Sequence, residues 1–210
     1  GGMKNLRHDD ALRGAIARNL ALHATASSSA QGLKHAAVCV ILADDGAGGA
    51  AVVLTRRAEH LSTHAGQYAL PGGRIDSGES VVAAARREAR EEIGIELAHD
   101  SILGQLDDYP TRSGYRITPV VAWARGDAPM SANPAEVAAI YRVHLTELSQ
   151  PGSPEFVAIA ESDQPVIRYP LLGTLIHAPT AAVLYQFMEV AVHGRDTRVA
   201  HLEQPLFAWR

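Results

Sequence analysis

The stretch from Gly73 to Ile95, GRIDSGESVVAAARREAREEIGI, constrains this chain more than any other, because it sets three glutamates where an ordinary helix would avoid them. Glu88, Glu91 and Glu92 stand at i, i+3 and i+4, so a helix brings their carboxylates to one side within about one turn. Like charges at that spacing repel, and a solvated helix would intersperse lysines there. A divalent cation removes the conflict. All-oxygen ligation favours the hard ions Mg2+ or Mn2+ over zinc, which prefers histidine and cysteine.

The flanking residues suit a helix built to hold that set. Ser80 reads as an N-cap ahead of Val81 and Val82, and Gly94 sits where a left-handed C-terminal cap is wanted, so the helix should span about Ser80 to Ile93. Ala83, Ala84, Ala85 and Ala89 form helix readily and leave a face that can pack closely on a sheet, while Arg87 can pair with Glu91 four residues on. Upstream, Pro71-Gly72-Gly73 is expected to break regular structure and bring backbone close to a ligand, with the Gly73 carbonyl available beside the carboxylates.

Gly73, Glu79, Arg87, Glu88, Glu91, Glu92, Gly94 and Ile95 together resemble the Nudix hydrolase box, with Ala89 where a larger aliphatic residue is more usual. The resemblance implies an α/β fold, an α/β/α sandwich with a mixed sheet, to which N-terminal and C-terminal helices would be added. It also implies hydrolysis of a nucleoside diphosphate linked to another group. By the same resemblance Glu88, Glu91 and Glu92 would be metal ligands, with Gly73 contributing its carbonyl, and Glu91 and Glu92 would belong to the catalytic set. Arg87 and Glu79 would orient helix and loop through ion pairing, and Gly94 would end the helix.

Composition fits one such domain with extensions. The chain has 210 residues, 47% of them hydrophobic, and a formal charge of −4, enough to bury a core. The expected division is an extension with one helix over 1–35, the Nudix domain over 36–194 and a tail over 195–210. Mild acidity without a Lys/Arg block argues against nucleic acid as partner, and no apolar run approaches the ~20 residues of a membrane span. No leader-like segment stands at the N-terminus, so the expected location is the cytoplasm. Gly1-Gly2 ahead of Met3 reads as a cloning scar. Cys39, alone and inside AAVCVIL, reads as a buried strand residue, and His60 and His64 as loop or surface histidines.

Periodicity places a first helix at about Asp10 to Ala24, a polar break at Ser27 to Gly32, and a hairpin of strands Ala36 to Leu42 and Ala51 to Leu54. Further strands are expected at about Ile102 to Leu106, Arg116 to Trp123, Ala138 to His144, Phe156 to Ala160 and Val166 to Tyr169, with a last helix from Thr180 to Val192. The tail, with Phe207 and Trp209, could cover the sheet, complete a homodimer or hang loose.

Before the box, Val53 to Gly73 resembles the coenzyme A pyrophosphatase subgroup, whose signature reads L-L-T-x-R-[SA]-x3-R-x3-G-x3-F-P-G-G. Leu54, Thr55, Arg57, Ala58, Gly66, Pro71, Gly72 and Gly73 fit in register, while Val53, Ser62 and Leu70 depart from it. Ser62 matters most, since a hydroxyl cannot replace arginine's bidentate fork on phosphate. Ser113 to Val121 and Asn133-Pro134-Ala135-Glu136-Val137 look like two further stretches of that subgroup. The expectation is cleavage of coenzyme A or its derivatives to 3′,5′-ADP and 4′-phosphopantetheine. Arg57 and Gly72 would bind substrate, Arg56 and Arg112 are further candidate phosphate clamps, and Glu136 is a candidate general base or added ligand. Two alternatives stay open: a pyrophosphatase for ADP-ribose, dinucleotides or nucleotide sugars, and a non-catalytic nucleotide-binding regulator.

Overall fold

The computed structural model describes residues 6–28 and 31–209. Gly1-Gly2, part of the polar break at Ser29-Ala30, and Arg210 lie outside the described residues.

Strand β1 (Lys34–Asp44) runs through the middle of the main sheet and is buried on both faces, as its nearly unbroken apolar run requires. Ala37, Cys39, Ile41 and Ala43 point to one side, and Val40 and Leu42 to the other. Burial raises the Cys39 thiol pKa to about 12, so the residue is packing and not a nucleophile. β1 pairs antiparallel with β2 (Ala50–Arg57) through Leu42↔Val52, and parallel with β7 (Tyr115–Trp123) through Lys34↔Tyr115 to Leu42↔Trp123. The sheet is therefore mixed. β8 (Val137–His144) extends it beyond β2, and β5 (Ile102–Gln105) and β6 (Tyr109–Pro110) pair with β7.

Where β1 and β2 diverge, two short strands fill the gap: β3 (Tyr68–Ala69) on β2 and β4 (Gly72–Arg74) on β1. The break expected at Pro71-Gly72-Gly73 is thus corrected to a short strand. Gly72 makes the pairing fit, because a Cβ there would stand 2.4 Å from the Ala37 carbonyl oxygen.

Helix α2 (Val81–Ile93) covers one face. Its Ala84, Ala85, Ala89 and Ile93 pack with Ala37, Cys39, Ile41, Val53, Val120 and Ala122, and the small alanines let helix and sheet approach closely. The other face carries α1 (Asp10–Leu22) and α3 (Thr180–Gln186), the latter continuing as a π-helical segment, Phe187–Val192. β9 (Glu155–Ile159), β10 (Ser162–Leu171) and β11 (Thr174–His177) form a separate antiparallel sheet beside them. The tail is tied down: Val199 and Leu202 are buried in the larger core, and Trp209 donates from Nε1 to the Gln204 carbonyl. Among the described residues no helix is long and apolar enough to cross a membrane.

Candidate active site

The site forms where β4 leads into the loop before α2. Ser80 caps the helix by accepting from the Ala83 N–H at 3.1 Å, and Gly94 closes it at φ 68°, donating to the Arg90 carbonyl. Both caps fall where the sequence predicts. The loop is fastened by Arg87, whose Nε donates to Glu79 Oε2 at 2.8 Å and whose Nη2 donates to Glu79 Oε1 at 2.9 Å and the Arg74 carbonyl at 3.1 Å. Glu79 Oε1 also accepts from the Asp76 N–H. The guanidinium beside Glu79 holds its carboxyl below the ordinary range. The expected Arg87–Glu91 pair is present at 3.3 Å, but Glu79 is the principal partner.

The three box glutamates do not share one environment. Glu88 and Glu92 are buried, at 9% and 8% exposure, whereas Glu91 is exposed at the rim. Helical geometry explains the split: at about 100° per residue, Glu91 and Glu92 lie on either side of Glu88 and roughly 100° from each other. Glu88 Oε1 accepts from Arg87 Nη1 at 2.9 Å. Its pKa is raised nonetheless, first by burial and then by Glu91 and Glu136, against the pull of Arg87. Glu92 is raised to about 8, first by burial and then by the charge of Glu88, with the Gly72 N–H as its stabilising hydrogen-bond donor.

Gly73 lies directly against Glu88, since a Cβ there would sit 2.5 Å from Glu88 Oε1. The absence of a side chain is what lets the backbone meet the carboxylate. Among the described residues no three His, Cys, Asp or Glu side chains form a ready metal cage. The donors nonetheless suit a hard cation: two adjoining buried carboxylates resist joint ionisation, and among the described residues no cationic side chain donates a hydrogen bond to Glu92. Glu88, Glu92, Glu91 at the rim and the Gly73 carbonyl are the groups able to hold one.

Glu136 arrives on the loop before β8. The Ser131 and Asn133 N–H groups donate to the carbonyls of Ile93 and Glu92, satisfying the exposed end of α2, and the Glu136 carbonyl accepts from Ala58. Glu136 is close enough for its charge to raise both Glu88 and Glu92. Arg57 ends β2 on the same side, lowers the Glu92 pKa, and donates from Nη2 to the Thr63 carbonyl at 3.1 Å. Its Nε is buried with no hydrogen-bond partner among the described residues.

Other candidates stand elsewhere. Arg112 forms two hydrogen bonds to Glu203 and stacks 3.8 Å over Trp209, so it fastens the tail. Arg56 pairs with Glu59 and lies by Tyr141, and Ser62 is exposed on the loop after β2. His60 and His64 are exposed as expected, but His60 Nε2 contacts the Ala135 carbonyl at 3.0 Å, a link nothing in its sequence position announces.

The chain is 41% identical over 97 residues to the uncharacterized Nudix hydrolase NudL of Yersinia pestis, covering 46% of this chain and 49% of that protein. It thus spans about half the length of the curated relatives it matches. Among solved structures, the Nudix hydrolase RenU from M. smegmatis is 23% identical with a TM-score of 0.47, over 76% of this chain and 85% of that one. A MutT/nudix family protein from Enterococcus faecalis is 18% identical with a TM-score of 0.48, over 77% and 66% respectively. The NUDIX domain model matches residues 33–166, well over half of the chain, which therefore belongs to the Nudix family.

Proposed function

We propose that the chain is a divalent-metal-dependent pyrophosphohydrolase acting on a nucleoside diphosphate linked to a second group, with coenzyme A and its derivatives as the favoured substrates. The observation that carries the reading is Glu92, a buried carboxylate whose pKa stands at about 8 beside Glu88 and Glu136. A group so placed is costly to ionise unless a cation arrives with the substrate. Mg2+ or Mn2+, when bound, supplies neutralisation of diphosphate charge and acidification of water. Glu88 and Glu92, with the Gly73 carbonyl and Glu91, hold that ion. Arg57, at the end of β2 and near enough for its charge to act on Glu92, binds a diphosphate oxygen. Glu136 accepts the proton of the attacking water as its oxygen bonds to phosphorus and the bridging P–O bond breaks. With coenzyme A the products are 3′,5′-ADP and 4′-phosphopantetheine.

The subgroup signature across Val53 to Gly73 favours coenzyme A, and Ser62 favours a second reading, in which ADP-ribose, a dinucleotide or a nucleotide sugar is the substrate. Side-by-side kinetics on coenzyme A, ADP-ribose and NADH with Mg2+ or Mn2+, followed by product analysis, separates them. A higher kcat/KM for coenzyme A is expected. Preference for another diphosphate overturns that substrate, and no cleavage of any overturns the activity.

A further inference from the structure

Asn133 makes contact with both ends of the candidate catalytic arrangement. Its N–H donates to the Glu92 carbonyl at 2.9 Å, and its side-chain Nδ2 faces Glu136 Oε2 at 3.4 Å. The amide is not free to turn over. Oδ1 accepts from the Ala135 N–H at 3.1 Å, which leaves only the NH2 end directed at the Glu136 carboxylate; the reverse orientation would set oxygen against oxygen. The turn is closed by the Glu136 and Val137 N–H groups, both donating to the Asn133 carbonyl at 3.0 and 2.8 Å. Its outer side is held by the His60 contact to the Ala135 carbonyl, in which His60 Nε2 must be the donor because a carbonyl only accepts.

We propose that Asn133 is a positioning residue that fixes the Glu136 carboxylate relative to the end of α2, so that Glu92 and Glu136 keep one spacing through a single residue. The proposal rests on the reading of Glu136 as proton acceptor. Asparagine meets three demands together: a side-chain acceptor for the turn, a side-chain donor for Glu136, and a backbone N–H for the helix end. Aspartate would meet the first and third but would oppose Glu136 with a like charge. Asn133→Asp therefore separates positioning from folding.

The expected result is a melting temperature close to wild type and kcat lowered about tenfold or more with KM changed less than about twofold. In the Glu136→Gln background, Asn133→Asp should cause no further loss, because its target is already gone. Wild-type kcat in Asn133→Asp, or an equal loss in both backgrounds, overturns the proposal. A readout independent of turnover is the Asn133 side-chain NH2 pair in a 1H–15N spectrum, which should shift on Glu136→Gln. An unmoved pair overturns the coupling whatever the protein hydrolyses. Absence of wild-type turnover on every diphosphate, with the amide shift present, overturns the proposed activity and leaves the coupling supported.

Discussion

Arg87 and Glu79 are joined by two hydrogen bonds, Nε to Oε2 at 2.8 Å and Nη2 to Oε1 at 2.9 Å, and this pair connects the loop after β4 to the middle of α2. Both side chains are largely buried, so solvent screens the pair weakly. Glu79→Gln removes the charge and leaves a single acceptor oxygen for three N–H donors, two from Arg87 and one from the Asp76 backbone. The expected cost is about 2 kcal/mol, or roughly 4–8 °C in melting temperature for a chain of this size. Turnover should fall about tenfold as Gly73 and Glu88 lose their relative placement. Calorimetry and kinetics on the same sample check both, and wild-type values in each would contradict the fastening role.

Gly72 and Gly73 should respond differently to the same substitution. In Gly72→Ala the new Cβ meets the Ala37 carbonyl oxygen at 2.4 Å and Val38 Cα at 2.8 Å, both backbone atoms of the central strand that cannot yield. A stability loss of about 3 kcal/mol or more is expected. In Gly73→Ala the collision is with Glu88 Oε1 at 2.5 Å, the far end of a side chain. That carboxylate can swing away, so the fold should survive while Mn2+ affinity, measured by electron paramagnetic resonance, drops. Equal melting temperatures for the two variants would refute the distinction.

Local devices were the most legible in the sequence. The Ser80 and Gly94 caps, the alanine face of α2 and buried Cys39 each follow from a few neighbouring residues, and each appears in the structure. Strands β3, β4 and β6 escape notice because two or three residues carry no alternation to read. Spacing on the helix identified the glutamates but not their different burial, which depends on what covers each side. Arg112 illustrates the larger gap: its pairing with Glu203 and Trp209 joins residues almost a hundred positions apart, and only the fold reveals that the tail claims it. The role proposed for Asn133 was hidden for the same reason, since the Glu92 carbonyl it meets lies on another element.

Arg57 provides a test of substrate contact separate from the carboxylates. Its Nη2 donates to the Thr63 carbonyl, which anchors the guanidinium at the end of β2 on the side of Glu92, whose pKa its charge lowers. Lysine carries the charge but lacks the planar fork. Arg57→Lys is expected to raise KM for a diphosphate substrate about tenfold and change kcat less, as read from initial rates over a substrate series. A fall in kcat at constant KM would instead place Arg57 in stabilising the transition state alone.

Glu92 links the site to pH. Burial, followed by the neighbouring Glu88 charge, raises its pKa from the ordinary 4.5 to about 8. Between those values the folded chain binds a proton that the unfolded chain has released, so this group's contribution to stability is full below about 4.5 and is lost as pH rises through about 8. Metal-free protein should therefore melt at a lower temperature at pH 8.5 than at pH 6. Glu92→Gln keeps a neutral group of the same shape, so it should flatten that dependence and raise the melting temperature at pH 8.5 while abolishing turnover. Saturating Mg2+ should act on the wild type in the same direction, raising its melting temperature more at pH 8.5 than at pH 6, because the ion binds the ionised pair and stabilises only the fold that presents it. Thermal melts of both proteins at the two pH values, with and without Mg2+, decide the matter: a slope that persists unchanged in Glu92→Gln would move the origin of the pH dependence to another group.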